Sequence, residues 1–250
     1  MVSGFKFSQL GLASILKQSR LIVPPNQRNY SWTKEEVTTL LQDFARSIGS
    51  EDTPYFVGTI VTIRKGNDVL EVVDGHQRLA TTAILLAEIR NYLQVCNESL
   101  LCRAIQDLLF TIDLKEREEV PRLKLNLDDN DYFRARLTGE QSISSATRPS
   151  HCLLKDTFTE ANEQVKRIVS TLDKKDHGDT LTQWIEFLKF RAMAVVLEAP
   201  SEADAYRIFE TLNDRGLRIT QADLVKNYLF GRSSDRINEV KHRWSQMQEH

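Results

Sequence analysis

The stretch that most constrains the fold is a β-hairpin pattern followed directly by a turn and a helix. The apolar runs YFVGTIVTIR (residues 55–64) and VLEVV (residues 69–73) flank the turn-forming sequence KGND, which is typical of two adjacent antiparallel strands. From residue 79 to about residue 96 the apolar residues recur at helical spacing, so a helix is expected there. Between strand and helix lies DGHQR (residues 74–78). A turn needs its Asp-Gly pair but not the three large polar side chains that follow.

Capping residues mark the start of two further helices. Thr33 and Glu36 have the spacing of a capping box, and apolar residues recur at helical spacing over residues 37–48. Ser201 and Asp204 have the matching spacing late in the chain, before another apolar helical pattern. The sequence therefore predicts an amphipathic helix after each of these pairs.

The rest of the chain adds strands at two places and is otherwise mostly helical. Residues 21–24 form a short strand pattern, and the strand-like run at 191–199 could rejoin the sheet of the first half. An exposed loop is expected around residues 138–150, which are rich in Ser, Thr and Gly. We expect an α/β (α+β) fold with a small mixed-sheet core over residues 1–110 and a mostly helical region over residues 111–250.

Composition excludes several classes of protein. The 250 residues carry a formal net charge of -2, so the overall charge does not indicate a nucleic-acid partner. A local basic groove is still compatible with this net charge. The three cysteines lack CxxC spacing, and the five histidines include no pair at metal-ligand spacing. This pattern argues against a disulfide framework or a structural zinc site and suits a reducing cytoplasm. The apolar runs are too short to cross a membrane.

The DGHQR turn could form an anion site. A turn between a strand and a helix directs free backbone N–H groups and the positive end of the helix dipole toward the loop. Gly75 permits close approach of a ligand, and Arg78 offers a planar fork to phosphate oxygens. Asp74 could bind magnesium or a ribose hydroxyl, while His76 and Gln77 could orient water or contact phosphate. An ordinary turn followed by a solvated arginine is the alternative that spacing alone leaves open.

A second polar segment is VPPNQRNYSW, residues 23–32. Its two prolines exclude a regular helix, and rigid loops with polar and aromatic side chains are frequent binding elements. For Tyr30 and Trp32 we favour a role in filling the core. For Gln27 and Arg28 we expect a place beside the DGHQR turn, where two arginines from separate loops could neutralise a polyphosphate.

A third segment is IFETLNDRGLRITQADLVKN, residues 208–227. Asn213, Asp214 and Arg215 lie at a corner between two predicted helices, and Gly216 closes it. Asn, Asp and Gly are ordinary capping and turn residues, so composition alone assigns this corner no function.

In this order, the three segments resemble the N-terminal domain of GmrSD-type Type IV restriction enzymes and their relatives in bacterial anti-phage defence. The usual forms in that family are a proline-rich QR-x-Y-x-W segment, a DGQQR-x-T-T turn and an F-E-x-L-N-x-x-G-x-x-L-T-x-x-D segment. The motifs span most of the chain, although none falls within residues 100–190. The resemblance implies a ParB/sulfiredoxin-like α/β core with a helical extension.

The resemblance also implies that the turn binds and hydrolyses a nucleoside triphosphate together with Mg²⁺. The catalytic residues implied are Asp74, His76, Gln77 and Arg78, with Asp74 also a magnesium ligand. The nucleotide-binding residues implied are Gln27, Arg28, Gly75, Arg78 and Asn213. His76 stands where the family usually has glutamine, and an imidazole, which can donate, accept or carry a proton, could preserve or change the hydrolytic role.

The function implied is a nucleotide-binding and nucleotide-hydrolysing module of a bacterial DNA-restriction system that acts on modified DNA. One alternative is a DNA-binding or DNA-sensing module whose turn contacts backbone phosphate. Another is a non-catalytic scaffold for a separate nuclease. Many relatives continue into an HNH-type nuclease domain, and this sequence lacks the clustered histidines of such a domain. We therefore expect the nuclease to be a missing C-terminal domain or a partner subunit. Which nucleotide is bound is left open.

Overall fold

The computed structural model describes residues 4–50, 53–66, 68–140 and 145–213, with side chains as far as Ile208. Within these residues the chain forms eight strands and eight α-helices, which confirms the predicted α+β class. The strands are β1 (Lys6–Gly11), β2 (Arg20–Ile22), β3 (Tyr55–Arg64), β4 (Val69–Asp74), β5 (Phe110–Asp113), β6 (Glu118–Pro121), β7 (Leu123–Lys124) and β8 (Ala192–Ala199). The helices are α1 (Leu12–Gln18), α2 (Lys34–Ile48), α3 (His76–Val95), α4 (Ser99–Leu109), α5 (Asn130–Thr138), α6 (Pro149–Val169), α7 (His177–Phe190) and α8 (Glu202–Asn213).

Six of the strands form one mixed sheet in the order β1-β8-β3-β4-β2-β7, and β5 and β6 form a separate antiparallel pair. The hairpin predicted on either side of KGND is confirmed as the antiparallel pair β3 and β4. The run predicted to rejoin the sheet is confirmed as β8, which pairs in parallel with β3 and antiparallel with β1. Segments far apart in the sequence therefore lie side by side at the centre of the sheet.

Both faces of the central hairpin are covered. Ile60 and Val72 belong to the main hydrophobic core, whereas Val61 and Val73 belong to a second cluster that includes residues of α8. Successive side chains of a strand point to opposite faces, so a hairpin covered on both faces needs apolar residues at nearly every position. This requirement explains the unbroken apolar runs seen in the sequence.

Helix α3 passes through the main core and contacts α1, α4, α6 and α7. Of the predicted apolar stripe, Leu85, Ile89 and Leu93 have 0% exposure, whereas Cys96, just after the helix, is exposed. The buried residues of α3 surround the whole helix. The helix also begins at His76, three residues earlier than the sequence predicted. Gly75 has a left-handed conformation with φ 97°, which turns the chain so sharply that the next residue is already helical.

Both predicted helix starts are confirmed. The amide of Thr33 donates to Glu36 Oε2 at 2.7 Å, and the amide of Glu35 donates to Thr33 Oγ1 at 3.3 Å, completing a capping box at the start of α2. At the start of α8, the amide of Asp204 donates to Ser201 Oγ at 3.2 Å. These side chains satisfy amides that the first turn of a helix leaves free.

Two predictions fall partly or wholly outside the described residues. The predicted loop at 138–150 corresponds to the connection between α5 and α6, and its residues 141–144 are not described. The corner closed by Gly216 also lies outside the described residues. Of the helices that the structure describes, none is long and apolar enough to span a membrane.

Candidate anion-binding site

The turn between β4 and α3 requires glycine for two reasons. Gly75 has a positive φ, which a residue with a side chain adopts only under strain. A Cβ added at Gly75 would also lie 2.8 Å from Ile60 Cγ1 and 3.3 Å from Ile60 Cα. The Asp-Gly sequence therefore lets α3 begin directly against β3, with its first turn at the end of the central hairpin.

The proline-rich segment folds onto this turn. Gln27 Nε2 donates to the carbonyl of Val73 at 2.9 Å, beyond the last pairing of β2 with β4. Gln77 accepts from the amide of Ser31 at 3.1 Å and donates to the carbonyl of Asn29 at 3.2 Å. The structure thus places residues 23–32 beside the DGHQR turn, and the glutamine side chains of both segments form the connections.

The ring of His76 is buried between the same two segments. Its Nε2 lies 2.8 Å from Gln77 Nε2, and because an amide nitrogen can only donate, the ring nitrogen accepts this bond. The backbone carbonyl of Arg28 also lies beside the ring. Burial, followed by the positive charges of Arg28 and Arg78, lowers the pKa of His76 to about 4. At neutral pH the imidazole is therefore uncharged, and its Nε2 accepts a hydrogen bond from Gln77.

The buried histidine predicts a loss of stability in acid. In the unfolded chain the pKa of His76 returns to about 6.5, so between these two values the unfolded state binds more protons than the folded state. The contribution of His76 to the free energy of unfolding is therefore fully present above pH 6.5 and is lost as the pH falls toward 4. We expect the free energy of unfolding to fall by about 2 kcal/mol more between pH 7 and pH 4.5 in the wild type than in His76→Gln.

Urea unfolding of both proteins at the two pH values measures this difference directly. Glutamine does not titrate, and the other titrating groups are common to the two proteins and cancel. Parallel pH profiles would contradict the burial of a neutral imidazole at this position.

Arg78 points toward the strand, not toward solvent. Its side chain is 13% exposed, and its guanidinium donates to the carbonyls of Val57 at 3.2 Å and Thr59 at 2.7 Å. A third contact of 3.3 Å joins it to Asp74 Oδ2. Strand β4 pairs with β3 only from Val61 onward, so the guanidinium bonds carbonyls on the part of β3 that β4 does not reach. The predicted phosphate contact of Arg78 stays a prediction, and its present partners are protein groups.

Arg28 is differently placed. Arg28 is exposed to solvent. Within the described part of the chain, its guanidinium forms neither an ion pair nor a hydrogen bond. Its charge nevertheless acts on the ring of His76, in the first turn of α3. No side chain of the described residues caps that first turn. An exposed cation and an uncapped helix N-terminus are therefore neighbours, which is an arrangement that attracts anions.

Asp74 is the one predicted magnesium ligand. Its side chain is 27% exposed and is shared with Arg78. Among the described residues, no group of three or more His, Cys, Asp or Glu residues could hold a metal ion. Magnesium usually keeps water and takes only one or two carboxylates together with substrate phosphates. What the described part of this turn offers a magnesium ion is the Asp74 carboxylate, which Arg78 already contacts.

The remaining predicted residues fall into two groups. Tyr30 is 2% exposed and Trp32 packs against the main core, which confirms the predicted core role of both aromatic rings. Asn213 ends α8, and its side chain lies outside the described residues. Two cavities of about 810 and 160 Å³ lie elsewhere, and neither is lined by residues of the two motif segments.

Sequence reasoning missed two residues that hold the proline-rich segment. Asn126 Nδ2 donates to the carbonyl of Gln27 at 3.1 Å, and Asp129 Oδ2 accepts from the amide of Tyr30 at 2.6 Å. The only sequence signal was a short run of Asn and Asp residues at 126–131, which is equally typical of an exposed turn.

Comparison with known proteins agrees with the order of the three motifs. No curated protein matches this chain. The family model for the GmrSD restriction endonuclease N-terminal domain matches residues 12–230, which include the core of the sheet and both segments of the candidate site. The chain therefore belongs to the family of GmrSD restriction endonuclease N-terminal domains and is a component of a restriction or anti-phage system.

Proposed function

We propose that the N-terminus of α3 and Arg28 bind the phosphates of a nucleoside triphosphate. The observation that carries this proposal is the exposed guanidinium of Arg28 beside a first helical turn that no described side chain caps. The first amides of a helix and an arginine are both strong donors to phosphate oxygens. Gly75, the N-cap residue, is buried against Ile60 and has no side chain that could cap the helix amides in place of a phosphate.

The other motif residues hold this arrangement in place. His76, Gln77 and Gln27 connect the proline-rich segment to the turn, and Arg78 connects the turn to β3. Asp74 would supply one carboxylate to a magnesium ion that accompanies the nucleotide. When bound, that ion supplies positive charge to the phosphate oxygens. The preferred base is open, and Asn213 is a candidate for contact with the nucleotide.

We further propose that this site hydrolyses the bound nucleotide. Arg28 and the helix amides would stabilise the charge that develops on a transferred phosphoryl group. An attacking water molecule also has to be oriented, and His76 and Gln77 would have to leave their present protein partners to do so. Phosphate release by the purified chain, compared with the same chain carrying Gln77→Ala, tests this step.

Replacing Arg28 by alanine is expected to weaken nucleotide binding by about 10- to 100-fold, because hydrogen bonds to charged groups contribute about 1.5–3 kcal/mol. Titration calorimetry with ATP, GTP, CTP and UTP, with and without magnesium, measures the affinity and identifies the preferred base. Arg46→Ala is the matched control, since it removes the same charge from an exposed residue of α2 whose hydrogen bonds, within the described residues, go to Gln42 and Asp43. Equal affinity in the wild type and the Arg28 variant would overturn the proposal.

The family places this chain in a restriction system, and we propose modified DNA and an HNH-type nuclease as its partners. The exposed Arg28 could also contact a DNA backbone phosphate, which makes a DNA-binding module the second candidate. In that case duplex binding would weaken steeply as salt rises, and Arg28→Ala would lower the slope by about one unit. Nucleotide binding without any effect of Arg28→Ala on DNA affinity would favour the first candidate.

A further inference from the structure

The segment that carries Arg28 is held along its backbone by side chains from other parts of the chain. Four of the five residues 27–31 contribute one backbone group each to these hydrogen bonds. The carbonyls of Gln27 and Asn29 accept from Asn126 and Gln77, and the amides of Tyr30 and Ser31 donate to Asp129 and Gln77. At the fifth residue, Arg28, the backbone carbonyl lies beside the ring of His76. His76 and Gln77 belong to the motif turn, whereas Asn126 and Asp129 belong to the part of the chain that contains no motif.

Asn126 contacts the segment at more than one point. Its Nδ2 donates to the carbonyl of Gln27 at 3.1 Å and to Asn29 Oδ1 at 2.8 Å, and its Oδ1 accepts from the amide of Asp129 at 3.2 Å. The residue is 4% exposed, so these bonds are protected from competition with water. Asn126 therefore spans the position of Arg28, with contacts on the residue before it and the residue after it.

Asp129 extends the same support into α6. One carboxylate oxygen accepts from the amide of Tyr30 at 2.6 Å, and the other accepts from Ser150 Oγ at 2.5 Å. The residue is 1% exposed, and such charge-assisted bonds are strong where water is excluded. Beside it, His151 Nε2 lies 2.9 Å from the carbonyl of Asp128, and its ring stacks on Tyr132 with 4.6 Å between centroids. The turn that carries Asn126 and Asp129 is thus itself fixed.

We propose that Asn126 and Asp129 are positioning residues that aim Arg28 at the N-terminus of α3. This inference rests on the proposed anion site. The guanidinium of Arg28 makes no hydrogen bond or ion pair among the described residues, although its charge acts on Glu36 and His76, so the backbone at residues 27–30 fixes the point from which its side chain extends. A binding side chain directed by fixed backbone loses less entropy when it meets its ligand.

A double-mutant cycle tests this inference with inorganic triphosphate as the probe. We compare Arg28→Ala, Asn126→Ala and the double variant by titration calorimetry at low salt. We expect Arg28→Ala to weaken binding by about 10- to 100-fold and Asn126→Ala by about tenfold. If Asn126 acts through Arg28, the double variant is no weaker than Arg28→Ala alone. Losses that multiply in the double variant, or an unchanged affinity in Asn126→Ala, would overturn the inference.

Asn162→Ala is the matched control, because it removes a partly buried amide that donates to Glu88 Oε2 at 2.8 Å, in a different part of the chain. It is expected to retain the affinity of the wild type. Hydrogen exchange of the peptide that contains residues 24–31 provides a second measurement that needs no ligand. Asn126→Ala should speed exchange of the amides of Tyr30 and Ser31, and Asn162→Ala should not.

The two measurements separate failure of the inference from failure of the proposed function. A wild-type protein that binds neither triphosphate nor nucleotide contradicts the proposed function. Amide hydrogen exchange at residues 27–31, compared between the wild type and Asn126→Ala, then shows whether Asn126 orders this backbone. An exchange rate that Asn126→Ala leaves unchanged overturns the positioning role. Binding by the wild type with independent effects of Arg28 and Asn126 contradicts only the positioning role.

Discussion

Replacing Gly11 by alanine should lower the free energy of unfolding by about 3 kcal/mol or more, because overpacking against atoms that cannot move is strongly destabilising. A Cβ at this position would lie 2.1 Å from the carbonyl oxygen of Lys189 and 2.8 Å from that of Leu188. These are backbone atoms near the end of α7, so a side-chain rotation cannot relieve the contact. Strand β1 and helix α7 would have to separate, and α7 packs directly beside the sheet.

Urea unfolding of Gly11→Ala measures the effect, and Gly49→Ala provides the control. Gly49 ends α2 with φ -76°, and the nearest atom to an added Cβ is 3.8 Å away. We therefore expect the stability of Gly49→Ala to stay within about 0.5 kcal/mol of the wild type. A Gly11→Ala variant as stable as this control would contradict the close contact between Gly11 and α7.

The parts of the fold that the sequence predicted correctly are those encoded by local patterns. The hairpin of β3 and β4 follows from two apolar runs around a four-residue turn, and the start of α2 follows from Thr33 and Glu36. In each case the residues that interact are close in sequence, so their spacing carries the information. Strand β8 was also recognisable, but its place between β1 and β3 was not, because strand order depends on contacts between distant segments.

The geometry of the candidate site depended on such distant contacts. Residues 76–78 have polar side chains that are typical of an exposed turn, which is why the predicted helix began too late. In the fold, His76 and Gln77 are buried because residues 28–31 supply their hydrogen-bond partners. A sequence shows that polar residues are present but not which of them satisfy one another. The same reason explains why the sequence did not identify Asn126, which bonds Gln27 and Asn29 almost 100 positions earlier.

Arg78→Ala is expected to lower the free energy of unfolding by about 2–4 kcal/mol, because it removes a mostly buried guanidinium that donates to two backbone carbonyls of β3. The variant leaves the carbonyls of Val57 and Thr59 without their donor and leaves Asp74 without its cation. Each unsatisfied buried polar group costs about 1–3 kcal/mol. Chemical unfolding measures the loss, with Arg46→Ala as an exposed arginine whose removal should change stability by about 0.5 kcal/mol or less.

Arg78→Lys separates the contribution of the planar guanidinium hydrogen bonds from that of the positive charge. A lysine keeps the positive charge near Asp74, but a single ammonium group cannot reproduce the planar fork that reaches two carbonyls at once. We therefore expect Arg78→Lys to lie between the wild type and Arg78→Ala in stability. Weak nucleotide binding by an unstable Arg78 variant would reflect the loss of the turn, so binding has to be measured under conditions where the variant is folded. An Arg78→Ala protein as stable as the wild type, yet unable to bind nucleotide, would instead assign the guanidinium to the phosphate.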